Sequence, residues 1–331
     1  MDIKEWYKKN TFHYSQFNVE KLLNLKNKKG LTISLCFPTL NEAKTIGSIL
    51  KVVERDLYKT GLVDEVFVID SDSTDLTHEI VKSSVFKFIK HKNILKNYGT
   101  FKGKGEALWK SIFITKGDLI VWCDADIENF NSRFIYGILG PLIENDKINF
   151  VKAFYRRPLK VHHSYIKEEG GRVTEILVKP ILNLFYPQLS MIFQPLAGEY
   201  AGRRSLFEQL PFFTGYGVEI GLLIDIYEKM GLEAIAQVDV LRRIHRNQPI
   251  SSLSKMSFGI LQAIFQKLQQ YNKLILVGEL NKIFRKVDYI NKEYIITPVK
   301  IIEKSRPPMI EVKEYILKNT FTENIPSKKI T

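Results

Sequence analysis

Apolar and polar positions follow two periods along most of this chain. Residues 32–37 form a β-branched, apolar run suited to a buried strand. From Asn41 the period lengthens, and Ile46, Ile49, Leu50, Val53 and Leu57 fall on one face of a helix. Residues 66–69 read as a second strand, 74–83 as a short helix, 86–89 as a third strand, 105–115 as a helix and 119–123 as a fourth strand. Strands alternating with helices in this way predict a mostly parallel, Rossmann-like α/β sheet covered on both faces. Beyond Asn131 the alternation loosens. A helix to about residue 144 precedes a strand at 149–155, and a helix over 171–186 is expected to bend at Pro180. An extended 194–200, an apolar helix at 218–230, a strand at 234–244 and a helical period over 251–271 follow.

These patterns divide the chain into a Lys-rich arm (1–30), a first half (31–150), a second half (151–290) and a C-terminal extension (291–331). Composition alters this picture little. With 331 residues, 45% hydrophobic and 26% charged, the chain can bury a full core. Its longest apolar runs, 119–123 and 220–224, fall far short of the ~20 residues a membrane helix needs. No charged-then-apolar leader opens the sequence, so a cytoplasmic protein without stable membrane association is expected. Two cysteines, Cys36 and Cys123, are too few for a disulfide framework, and reduced, buried thiols are expected. The net charge of +13 is spread largely over the terminal segments, and no nucleic-acid-binding motif accompanies it, so nucleic acid is excluded as a partner.

Candidate chemistry sits at the strand ends, because open α/β sheets bind ligands outside the carboxyl ends of their strands. The first strand runs into Pro38-Thr39-Leu40-Asn41-Glu42, the second into Asp70-Ser71-Asp72-Ser73-Thr74-Asp75 and the fourth into Asp124-Ala125-Asp126. Helix caps would explain one such cluster but not all three. The 70–75 stretch fails as a calcium loop, because Thr74 and Asp75 stand where that loop needs Asp or Asn and then Gly. The stretch 99–105 fails as a phosphate loop, because Gly105 follows Lys104 where Ser or Thr is required. Asp124 and Asp126, separated by one residue, can hold a hard divalent cation that bridges to a diphosphate.

An Asp-x-Asp after a buried strand, with the other two clusters, resembles the GT-A nucleotide-sugar glycosyltransferases. Longer strings narrow the resemblance: Lys102-Gly103-Lys104-Gly105-Glu106-Ala107-Leu108-Trp109, Gly170-Gly171-Arg172-Val173-Thr174-Glu175, residues 194–204, and Thr214-Gly215-Tyr216-Gly217-Val218-Glu219-Ile220. Over roughly 33–247 they are similar to the glucosyl-3-phosphoglycerate synthase family. That resemblance implies a GT-A fold with a nucleotide-sugar half and a helical acceptor half. It also implies a metal-dependent, retaining transfer of glucose from UDP- or GDP-glucose to 3-phosphoglycerate.

Under the same resemblance Pro38, Leu40, Glu42 and Ser71 line the base and ribose pocket, with Asp124, Ala125 and Asp126 beside them. Lys104 reaches the diphosphate, Glu219 takes sugar hydroxyls, and these two are the expected catalytic residues. Asp126 and His245 are the expected ligands of magnesium, with manganese or cobalt as substitutes. Gly171, Arg172, Thr174, Arg243 and Asn247 are expected around the acceptor. Backbone N–H groups at Gly170 and Gly171, at a helix start, suit an anion. His162 and His163 lie outside every matched motif and read as surface. A homodimer is the expected assembly. The competing readings are a mannosyl or glycerate-using relative, a transferase acting on lipid phosphate at a membrane surface, and a sensor that has lost catalysis.

Overall fold

The computed structural model describes residues 2–161, 164–166, 170–245 and 248–323. The chain opens with α1 (Ile3–Asn10), β1 (Thr11–His13) and α2 (Val19–Lys29). The Asn18 side chain caps the start of α2 and left-handed Gly30 closes its end. Alternating elements follow: β2 (Ile33–Thr39), α3 (Ile46–Val53), β3 (Glu65–Asp70), α4 (Thr77–Lys82), β4 (Lys87–Lys90), α5 (Lys104–Ile114), β5 (Leu119–Trp122), α6 (Arg133–Glu144) and β6 (Phe150–Arg156). The second half holds β7 (Leu159–Val161), β8 (Ser164–Ile166), α7 (Lys179–Phe185), β9 (Tyr200–Arg203), α8 (Arg204–Phe207), β10 (Phe212–Phe213), α9 (Val218–Met230), β11 (Ile235–Arg242) and α10 (Ile250–Gln270). Last come the hairpin β12 (Ile283–Ile290) and β13 (Glu293–Lys300), then β14 (Ser305–Arg306) and α11 (Lys313–Glu323).

Eight strands form one sheet in the order β1-β11-β6-β9-β5-β2-β3-β4. All neighbours run parallel except at β9, which is antiparallel to both β5 and β6 and joins two parallel blocks. Successive strand residues face opposite sides. Leu35, Phe37, Val121 and Val151 pack beneath α3 and α6, whereas Cys36, Ile120, Trp122 and Phe150 pack beneath α5 and α9. Both cysteines are buried and free. Among the described residues, no helix is long and apolar enough to cross a membrane.

Several elements differ from the expectation. The helix expected from Asn41 begins only at Ile46, because Asn41 adopts a left-handed φ of 61° and its side chain accepts the Thr74 N–H at 2.8 Å. Residues 194–199 form a turn, closed by an Ala197 N–H bond to the Gln194 carbonyl, and extended structure starts at Tyr200. The helical run over 172–185 widens to π-geometry at Thr174–Val178, just ahead of Pro180, where the bend was expected. The 1–30 stretch supplies the edge strand β1, paired in parallel with β11, and the buried Trp6 indole donates to the Ile235 carbonyl at 2.9 Å. The C-terminal stretch is equally integrated, with β14 pairing antiparallel to β10.

Candidate active site

A cavity of about 360 Å³ opens at the carboxyl ends of β2, β3 and β5. Pro38, Leu40, Glu42, Ser71, Lys104, Asp124, Ala125, Asp126, Gly171, Arg172, Thr174, Glu219, Arg243 and His245 all line it. Asn247, His162 and His163 lie outside the described residues. Residues as far apart in sequence as Pro38 and His245 thus share one cavity, to which both halves of the chain contribute.

Asp124 is its electrostatic centre. Lys104 Nζ lies 2.5 Å from Asp124 Oδ1 and 2.7 Å from Glu219 Oε1. On the other side, Arg243 Nη2 lies 3.0 Å from Asp124 Oδ2 and 2.5 Å from Asp126 Oδ1. Burial alone would raise the Asp124 carboxyl, but Lys104 and Arg243 hold it below the usual carboxylate range. Burial likewise works against the Lys104 ammonium, and Asp124 and Glu219 overcome it, so Lys104 stays charged. A β-carbon on Gly198 would lie 2.1 Å from Asp124 Oδ2, so the turn at 194–199 can pass the carboxylate only as glycine.

Arg243 is held from behind. Glu199, fully buried, lies 3.4 Å from its Nε and accepts the Tyr155 hydroxyl at 2.6 Å. The strand β11 delivers Arg243 through a register shift between Asp239 and Arg242, with Leu241 at a φ of 75°. Arg243, expected at the acceptor, lines the cavity, and its guanidinium ion-pairs with the Asp-x-Asp carboxylates. His245 bridges to Ile127, beside Asp126, and burial followed by Arg243 and Arg157 lowers its ring to about 4. The ring is therefore neutral, and one of its nitrogens carries a lone pair of the kind a metal takes.

At the opposite wall Gly170 donates its N–H to the Arg157 carbonyl at 3.0 Å, and Gly171 turns with a φ of 81° into the helical run. Arg172 reaches across to the Gln248 carbonyl at 2.7 Å. Sequence reasoning missed Arg157, which lines the cavity, stacks on Tyr155 and keeps its buried Nε unpaired. The carboxyl-end rule applied to β6 would have found it. It also missed the apolar wall that α10 supplies with Leu253, Met256 and Ile260.

The acidic cluster at 70–75 is a correction to the sequence reading. Asp70 accepts from Ser73 and Thr39, while Asp75 accepts the Thr77 N–H at 3.0 Å at the start of α4. These carboxylates staple the loop, and only Ser71 of the cluster reaches the cavity. Among the described residues no three His, Cys, Asp or Glu side chains converge into a self-sufficient metal cage. Asp126 and His245 fit a divalent cation as two ligands of a site that diphosphate oxygens and water would complete.

The glycosyl transferase family 2 model matches residues 34–217. The chain is 48% identical over 309 residues to the glucosyl-3-phosphoglycerate synthase of Petrotoga mobilis, covering 93% of this chain and 95% of that one. The chain belongs to the glucosyl-3-phosphoglycerate synthase family. Its fold is GT-A. The Mycobacterium tuberculosis synthase, solved with Mn2+, UDP and glucosyl-3-phosphoglycerate, is similar at a TM-score of 0.80 and 36% identity, over 91% of this chain and 98% of that one. The mannosyl-3-phosphoglycerate synthase of Rubrobacter xylanophilus is similar at a TM-score of 0.87 and 36% identity, over 93% and 99%.

Proposed function

We propose that this synthase transfers glucose from UDP-glucose to the hydroxyl of 3-phosphoglycerate with retention of configuration, giving glucosyl-3-phosphoglycerate and UDP. One observation carries the reading: the carboxylate and ammonium groups at Asp124, Asp126, Lys104 and Glu219 share a cavity with the Gly171–Arg172–Thr174 helix start. The nucleotide lies along Pro38, Leu40, Glu42 and Ser71. Lys104 meets the diphosphate, and Glu219 accepts hydrogen bonds from sugar hydroxyls. The acceptor phosphate sits on the helix start with Arg172 and Arg157 as charged donors. Asn247 completes the acceptor side.

Asp126 and His245 would hold the divalent cation, magnesium or manganese. When bound, it supplies positive charge to the departing diphosphate. Lys104 is already aimed at that same charge, which grows as the glycosidic bond breaks. The proton leaving the acceptor hydroxyl passes to the departing phosphate on the same face of the sugar. The similarity to a mannosyl-3-phosphoglycerate synthase favours a second donor, GDP-mannose, as the reading to test against. The assembly we propose is a homodimer, supported by the exposed hairpin β12–β13, since a two-stranded hairpin alone is marginal in water.

The test pairs UDP-glucose or GDP-mannose with 3-phosphoglycerate, with magnesium or with chelator. Transfer is expected from UDP-glucose with metal, and Asp126→Ala and His245→Ala should each abolish it in a folded protein. Full turnover in chelator, or near-normal rates in both variants, would remove the metal site. Preference for GDP-mannose would replace the donor.

A further inference from the structure

Glu303, in the segment joining the hairpin to β14, is only 6% exposed and makes no contact with the cavity. Its Oε2 accepts the Gly215 N–H at 3.0 Å and its Oε1 accepts the Tyr216 N–H at 3.0 Å. One carboxylate therefore ties two consecutive amides of the turn that leads into α9. No larger residue fits around it. A β-carbon on Gly215 would lie 2.2 Å from Oε1, and one on Gly259 of α10 would lie 2.8 Å from it.

The clamp is itself fixed from two directions. Gln262 of α10 accepts the Glu303 N–H at 3.1 Å and donates to the Ile301 carbonyl at 3.0 Å. The Thr214 N–H donates to the Lys304 carbonyl at 2.8 Å. On its far side the same turn meets the start of α5. The Glu106 N–H donates to the Thr214 carbonyl at 3.0 Å, and a β-carbon on Gly103 would lie 2.4 Å from that oxygen. Three residues beyond Glu303, Arg306 pairs both its Nε and Nη2 with the buried Glu106 carboxylate at 2.8 and 2.7 Å. The turn thus stands between Lys104, the first residue of α5, and Glu219, in the first turn of α9.

We propose that Glu303 is a positioning residue for the transfer: it holds the turn at 214–217 so that Lys104 and Glu219 keep their places at the donor. The inference rests on the proposed transfer reaction for its kinetic readout and on nucleotide binding for a second one. A carboxylate accepting two backbone N–H groups fixes that turn, whereas an amide can accept with only one of its two polar atoms. Among the described residues, the acceptor wall built on 170–174 and 248 has no hydrogen bond to this clamp.

Glu303→Gln keeps volume and shape but places an NH2 group against an N–H. The expected result is a folded protein with cooperative melting, kcat lowered about tenfold or more, and UDP affinity by calorimetry lowered by a similar factor. The KM for 3-phosphoglycerate should stay within about twofold of wild type. Gln262→Leu, which frees the clamp from α10, should show the same split more weakly and stands in if Glu303→Gln does not fold. Unchanged kcat and UDP affinity would overturn the proposal. So would equal losses for donor and acceptor with a lowered melting temperature, which mark a merely structural role. A wild type that binds UDP but transfers nothing to 3-phosphoglycerate would overturn the proposed reaction instead, and the UDP comparison would still decide the role of Glu303.

Discussion

Asp124, Asp126 and Glu42 all face one cavity, and three neighbouring carboxylates repel. Arg243 and Lys104 settle two of them through direct ion pairs. Among the described residues Glu42 has no such ion pair. Burial, then Asp126, Asp124 and Asp75, push its carboxyl up to about 7. In the unfolded chain it titrates near ~4.3, so between these values the folded protein holds a proton that the unfolded chain has released. Its contribution to stability is full below the unfolded value and is lost as pH rises through about 7. In chelator, the urea midpoint of the wild type should therefore fall relative to Glu42→Gln between about pH 5 and about pH 8. An unchanging difference across that range would mean that Glu42 stays ionised throughout. At this scale the sequence was readable where function lies in adjacent residues, as in Asp124-Ala125-Asp126. Arg157 was within reach of the same strand-end rule, one residue beyond β6, whereas Glu303 was not readable, because its role exists only once the C-terminal segment has folded against distant partners.

Elements were legible where an apolar period decides them and illegible where a polar side chain overrides it. The strands β2, β3 and β5 lie where the apolar runs put them, since each is buried on both faces. The start of α3 was misplaced because Asn41 spends its side chain on Thr74 across the sheet edge, a tertiary bond that periodicity cannot reveal. The helical run from 172 was readable together with its glycines, and it carries a prediction. Its first turn carries N–H groups with no partner inside the helix and the positive end of a dipole, with Arg172 beside them. Arg172→Ala should weaken 3-phosphoglycerate binding by roughly ten- to a hundredfold, the worth of a charged hydrogen bond of ~1.5–3 kcal/mol. UDP affinity should hardly change, and 3-phosphoglycerate should be preferred over glycerate by at least ~100-fold in the wild type but much less in the variant. Equal losses for nucleotide and acceptor, measured by calorimetry, would take Arg172 out of the phosphate site.

For the whole molecule, the division into an arm, two halves and an extension describes the order of the chain better than its packing. The first and last segments both enter the fold through β1 and β14, and the donor cavity draws on residues from Pro38 to Ile260. The hairpin β12–β13 is different. Among the described residues it pairs only with itself, and it exposes Val287, Tyr289, Tyr294 and Ile296 at 58–77%. Its two ends are neighbours, with Ile283 paired to Lys300 and the Ile301 N–H bonded to the Lys282 carbonyl at 2.9 Å. Gln262 grips the chain on both flanks, donating to the Asn281 and Ile301 carbonyls. Residues 283–300 can therefore be removed and Lys282 joined to Ile301 by a short glycine linker without releasing the Glu303 clamp. If the homodimer proposed above forms through this hairpin, the expected outcome is a folded enzyme that retains turnover while its mass in solution, read by light scattering, falls from two copies to one. A variant that stays dimeric would move the interface elsewhere on the surface. A monomeric variant without turnover would mean that the second copy, and not this chain alone, holds the donor site in its working shape.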